Sequence, residues 1–196
     1  MGDIKSAREI AMEKIEKLGE VTEEERLKWK YVPQGEELAV RYLKKGGNLI
    51  AELGQYQENV RKYIVEGASD VLIRNIGLPK NDVAKKSNRR AMDGLKIIKN
   101  DKVSVENVYS RIRNIFNHYE QEGEQQRKQA YESLKTEFEA RIQQAVQQQL
   151  GTFVAAKVDV ERQPQFHQEW RKILIQLDSQ YLTLLNEYKQ ELYSIA

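Results

Sequence analysis

From Ser104 to Leu150 the chain contains no proline and a single glycine, Gly123, and this unbroken run limits the fold more than any other feature. Apolar residues recur along it in steps of three and four: Val105, Val108, Tyr109, Ile112, Phe116 and Tyr119, then Ala130, Leu134, Phe138, Ile142 and Ala145. That spacing places them on one face and predicts a single amphipathic α-helix. At 1.5 Å per residue such a helix is about 70 Å long, too long to lie within one compact globule of this size.

A second helix is predicted from Gln165 to Ile195, with Pro164 at its first turn, where a missing N–H does no harm. Its apolar residues form two columns, Trp170, Leu177 and Leu184 in one and Leu174, Tyr181, Tyr188 and Ile195 in the other. Columns of this kind are a heptad seam. Folding the seam antiparallel onto the long helix puts Phe166 beside Leu150 and the chain's end beside Gln121. Residues Glu120 to Gln129 offer no sizeable apolar side chain and read as a neck. The part before the neck is expected to dock on the N-terminal helices, and the part after it to pair with the last helix. Between the helices Val154, Ala156, Val158 and Val160 alternate with Ala155, Lys157, Asp159 and Glu161. An ordered loop is the preferred reading there, with a short strand within residues 152–161 as the alternative.

The N-terminal half reads as a cluster of shorter helices. Ile4, Ala7, Ala11, Ile15 and Leu18 share one face of a first helix that Gly19 stops. Thr22-Glu23-Glu24-Glu25 is a capping box. The helix it opens is expected to end before Pro33, because proline disfavours helical geometry at Val32, with Trp29 and Tyr31 anchoring it to the core. Further helices are predicted over Gln34–Lys44, after the Asn48 cap, over Glu58–Ile76, and from about Asp82 to Lys99. Gly77 and Pro79 mark the stop between the last two. The fold class is therefore all-α, an N-terminal helical cluster over residues 1–119 followed by a long antiparallel hairpin over 120–196.

Motifs for chemistry are sparse. There is no cysteine, which excludes disulfides and thiolate chemistry. His118 and Glu122 lie four apart, a spacing that can hold a metal, but no further ligand joins them, and both His118 and His167 read as exposed. The glutamates from Glu120 to Glu139 lie mostly off the apolar stripe, without the Glu-x-x-His pairing of a di-iron bundle. No cofactor, metal or small-molecule substrate is expected, and the chain is read as non-enzymatic. The formal net charge is only +2, yet from Lys80 to Val103 basic residues outnumber acidic ones eight to three. Lys85, Lys86, Arg89, Arg90 and Lys96 share a face there and form a candidate nucleic-acid surface. No apolar run is long enough to span a membrane and the start lacks a signal-like segment, so a cytoplasmic location is expected.

The run Ile4-Lys5-Ser6-Ala7-Arg8-Glu9-Ile10-Ala11, together with Gln163-Pro164-Gln165-Phe166, Trp170, Leu174 and the Leu/Tyr-rich helix after them, resembles a family of small, uncharacterised bacterial helical proteins. The resemblance implies a bacterial cytoplasmic source and assigns no functional residue. The leading expectation is a scaffold or adaptor that works by helix–helix association, as a homo-oligomer or with a protein partner. Its interface residues are expected among Leu134, Phe138, Ile142, Trp170, Leu174, Leu177, Tyr181, Leu184 and Tyr188. The alternative is a nucleic-acid- or ribosome-associated factor using the basic face.

Overall fold

A computed structural model describes residues 22–150 and 159–195, whose regular structure is helical throughout. The chain divides into two compact units, residues 1–72 and 73–196, and the boundary expected at Tyr119/Glu120 falls inside the second. The first expected helix, over residues 4–18, lies outside the described residues.

In the first unit, α1 (Glu23–Lys45) opens on the capping box: the Thr22 hydroxyl accepts the Glu25 N–H at 3.2 Å, and the Glu25 carboxylate accepts the Thr22 N–H at 2.8 Å. The helix does not stop at Pro33, and the two short helices expected on either side of it are one. Proline inside a helix costs about 3 kcal/mol, through a lost N–H and crowding of the preceding turn. Packing overrides that local signal. α1 crosses α3 (Glu58–Arg74) backbone against backbone: a Cβ on Gly35 would overlap the Ile64 carbonyl, and one on Gly67 would overlap the Val32 carbonyl. Leu38, Ala39, Ile64 and Ala68 are fully buried. The Gln34 side-chain amide donates to the Lys30 carbonyl at 3.1 Å, across the turn that proline disturbs. On this continuous helix Trp29 stands half a turn from Leu38, so it is 66% exposed rather than a core anchor, and Tyr31 is half-buried. Gly46 (φ 73°) and Gly47 (φ 151°) end α1 in conformations that disfavour a side chain. Asn48 then caps the short α2 (Leu49–Leu53) by accepting from the Ala51 N–H at 3.2 Å.

In the second unit, the turn around Gly77 is held by the buried Asn88. Its side chain accepts the Gly77 N–H at 2.9 Å and donates to the Gly77 carbonyl at 2.6 Å. Asn88 belongs to α4 (Asp82–Ile98), which Asn81 caps. The Tyr109 hydroxyl, on α5 (Lys102–Glu120), donates to the Met92 carbonyl at 2.8 Å and ties α5 to α4. Burial pushes that phenol well above its ordinary pKa.

The run expected to be one helix is two, α5 and α6 (Glu122–Leu150), divided at Gln121 (ψ −76°). α6 pairs antiparallel with α7 (Pro164–Ser194). A 3-10 turn, Val160–Arg162, leads into α7, with Lys135 pairing Glu161 at 2.9 Å. Residues 159–161 are thus not strand, and the rest of that expected segment lies outside the described residues. Leu134, Phe138, Val160 and Phe166 form a buried cluster, with Tyr131, Ile142, Trp170 and Ile173 packed against it. Phe166 meets Tyr131 and Phe138 edge-on, each with centroids 5.4 Å apart. Such pairs contribute about 0.5–1.5 kcal/mol beyond their burial.

The register differs from expectation. Phe166 docks at Phe138 rather than Leu150, about 18 Å further along at 1.5 Å per residue. α7 therefore passes the break and continues along α5. Tyr181 lies against Tyr119, Arg111 forks onto the Glu191 carboxylate beneath the Tyr188 ring, and Lys99 donates to the Ile195 carbonyl. The segment before the neck consequently packs on α4 and α7, and the neck itself carries a buried residue, Gly123. The seam shifts too. Leu184 is 43% exposed, whereas Asp178, Leu185 and Leu192 are buried. Leu174, Tyr181, Tyr188 and Ile195 are half-buried; of the other expected column Trp170 packs against the cluster and Leu177 is half-buried, and beyond them Asp178, Leu185 and Leu192 are the buried residues.

Candidate functional site

Among the described residues of the second unit, two gatherings of polar side chains concern the site most directly. The first is the break between α5 and α6. Ending α5 at Glu120 disturbs its last carbonyls, and Arg127, one turn into α6, donates to the Tyr119 carbonyl at 3.2 Å while its guanidinium lies 4.3 Å from the Tyr119 ring centroid. Tyr119 is buried, and its hydroxyl donates to Asp178 at 3.1 Å. Lys80 reaches the other Asp178 oxygen at 2.6 Å. Burial first, and the neighbouring Asp178 charge second, push the Tyr119 phenol up to about 12, so it stays protonated and donates. Tyr181 packs edge-on to Tyr119 and shares a 2.9 Å hydrogen bond with His118 Nδ1. Gly123 leaves room for this: a Cβ there would sit 3.2 Å from the Tyr181 hydroxyl. The hydrogen bonds of this cluster close on its own members, and its chemistry is that of a clamp.

The second place is a cleft of about 580 Å³ between α4 and α5. From α4 come Lys85, Lys86, Arg89 and Asp93, and from α5 come Arg113, Phe116, Asn117 and Glu120. The α5 residues recur at three- and four-residue spacing, so one helix face presents them all. Four cations meet two carboxylates there. Lys85 pairs with Glu120 at 3.1 Å, and Arg113 pairs at 2.7 Å with Glu106, which also takes Lys96 at 2.7 Å. Hydrogen bonds from Arg113 and from Lys96, and then the charges of both, hold the Glu106 carboxyl below its ordinary pKa. Lys86 and Arg89 are exposed and make no ion pair among the described residues. Phe116 is half-buried.

The residues singled out in the sequence are thus distributed as follows. Of the basic set, Lys85, Lys86 and Arg89 share the cleft, while Arg90 and Lys96 do not line it. Of the apolar set, Leu134, Phe138, Ile142 and Trp170 meet in one cluster. Leu174, Leu177, Tyr181 and Tyr188 are half-buried along α7, and Leu184 faces out. Two apolar residues not singled out, Ile175 and Leu182, are 70% and 41% exposed. Asp178, Tyr119, Arg113 and Phe116 were also missed. The α5 spacing could have disclosed the last two, whereas nothing local distinguishes Asp178 from a surface acid. Both histidines are exposed, and among the described residues no group of three or more His, Asp or Glu is placed to hold a metal ion. No helix among the described residues is long and apolar enough to cross a membrane.

No curated protein and no solved structure matches this sequence. A family of unknown function, DUF6657, matches residues 50–194, which take in α3 through α7 and both polar sites. The chain belongs to that family.

Proposed function

We propose that this protein is a non-enzymatic helical adaptor that self-associates through the exposed flank of α7. The observation that carries the reading is the pair Ile175 and Leu182, exposed at 70% and 41% and one heptad apart. Seven residues advance a helix by nearly two whole turns, so the two side chains stand within about 20° of each other. Tyr193, 38% exposed, lies in line with them. The inner side of α7, with Leu185 and Leu192, is already covered within the protomer, so this stripe is a second apolar edge on the same helix. A second α7 laid against it would remove both side chains from water, worth roughly 1–2 kcal/mol for Ile175 and about 1 kcal/mol for Leu182, which is already more than half covered.

Sedimentation equilibrium at micromolar concentration tests the reading. Wild-type protein is expected at about twice the 22.9 kDa chain mass, and the variant Ile175→Glu with Leu182→Glu is expected at the single-chain mass with unchanged helicity. A single-chain mass for the wild type contradicts it. Nucleic-acid binding is the weaker reading, because Lys85 and Lys96 are already paired with Glu120 and Glu106. A phosphate track needs cations that are available to release counterions.

A further inference from the structure

We propose that the α4–α5 cleft is a binding site for a nucleoside diphosphate. A volume of about 580 Å³ falls in the range of small-molecule sites and suits one nucleotide rather than a strand. The four kinds of side chain at its rim match the parts of such a ligand. Lys86 and Arg89, one turn apart in the chain and without ion-pair partners among the described residues, supply the charge for a diphosphate. Phe116, half-buried, presents an aromatic surface on which a base can stack. The Asn117 amide carries both a donor and an acceptor suited to a base edge. Asp93 would repel a bare anion, but it suits a ligand that also brings hydroxyl donors, as ribose does.

The walls are held in place independently of any ligand. Asn88 is locked to both backbone groups of Gly77, Lys85 is tied to Glu120, and Arg113 is tied to Glu106. Of these pairs Lys85–Glu120 spans the two helices, and Lys86 and Arg89 have no ion pair among the described residues. A preformed site loses less in ordering on binding.

Isothermal titration of the full chain with ADP, GDP, CDP and UDP tests the proposal, with inorganic pyrophosphate and a short single-stranded RNA as the other arms. At least one nucleoside diphosphate is expected to bind with a Kd of about 1 mM or tighter. Lys86→Gln with Arg89→Gln is expected to weaken it at least about tenfold, since each removes a charge-assisted contact. Phe116→Leu is expected to weaken the nucleotide and leave pyrophosphate unchanged. Should Phe116→Leu not fold, Asp93→Asn serves instead, weakening the nucleotide while strengthening pyrophosphate. No binding by any of the four nucleotides overturns the proposal, as does binding that survives loss of both cations. Pyrophosphate binding as tightly as the best nucleotide, or RNA binding more tightly through the same residues, also overturns it.

Discussion

Two helices here contain an irregularity, and they resolve it in opposite ways. α1 carries a proline at position 33 and runs straight through it, whereas the run from Lys102 to Leu150 carries no proline and divides at Gln121. At Pro33 the backbones of α1 and α3 touch over Gly35 and Gly67, and this close crossing holds the helix across its weak turn. At Gln121 the surroundings are polar: Arg127 takes the Tyr119 carbonyl, Asp178 takes the Tyr119 hydroxyl, and Tyr181 fills the space over Gly123. The contrast teaches that helix continuity is decided by what the next layer offers the backbone. Local propensity sets a cost of a few kcal/mol, which tertiary contacts can meet or exceed.

The largest way to break this comparison is to push the first crossing apart. Gly67→Ala is expected to destabilise by at least about 3 kcal/mol in urea unfolding, since its Cβ would collide with backbone that cannot rotate away. At the second irregularity, Asp178→Ala is expected to cost roughly 2 kcal/mol. It strands the buried Tyr119 hydroxyl, whereas Lys80, 57% exposed at its side chain, can return to water. Pro33→Ala goes the other way and is expected to stabilise by about 1–2 kcal/mol. It relieves the interior proline, and part of the gain is offset by a freer unfolded chain. Gly123→Ala is expected within about 0.5 kcal/mol of wild type, because its Cβ meets the ends of the movable Arg127 and Tyr181 side chains and gains helix propensity in return.

One effect shows only at alkaline pH. Tyr119 has its pKa raised to about 12, so the stability it contributes is fully present below its ordinary value near 10 and is lost as pH rises through about 12. Tyr119→Phe is expected to flatten that alkaline decline in thermal unfolding followed from pH 9 to 12.

Much of the fold was legible because it rests on local rules. The Thr22–Glu25 capping box, the Asn48 cap and the antiparallel pairing of the last helix all follow from side chains acting within a turn or along one face. What escaped reading depends on distant partners. Pro33 reads as a stop unless Gly35 and Gly67 are known to meet α3 and α1. Heptad spacing places Trp170, Leu177 and Leu184 in one column and gives no reason to set Asp178 inside. Only Tyr119 and Lys80, arriving from elsewhere in the chain, make it an inner residue, and Leu185 and Leu192 follow it inward in place of Leu184. The same displacement carries α7 past the polar neck. The basic cleft was half legible: the α4 charges were evident, but that Glu120 and Glu106 would tie down Lys85 and Lys96, and that Arg113 and Phe116 would form the opposite wall, required knowing that α5 lies beside α4.

The register of α7 underlies both the clamp at Gln121 and the placement of its outer apolar stripe. The cysteine-free sequence allows it to be measured cleanly, with spin labels at Arg111→Cys and Glu191→Cys and the distance read by pulsed dipolar spectroscopy. Side-by-side helices 8–10 Å apart put the two labels at the short end of the measurable range. A register that leaves the chain's end at the neck would separate these positions by about 20 Å more, and a distribution centred there would contradict the packing of α7 along α5.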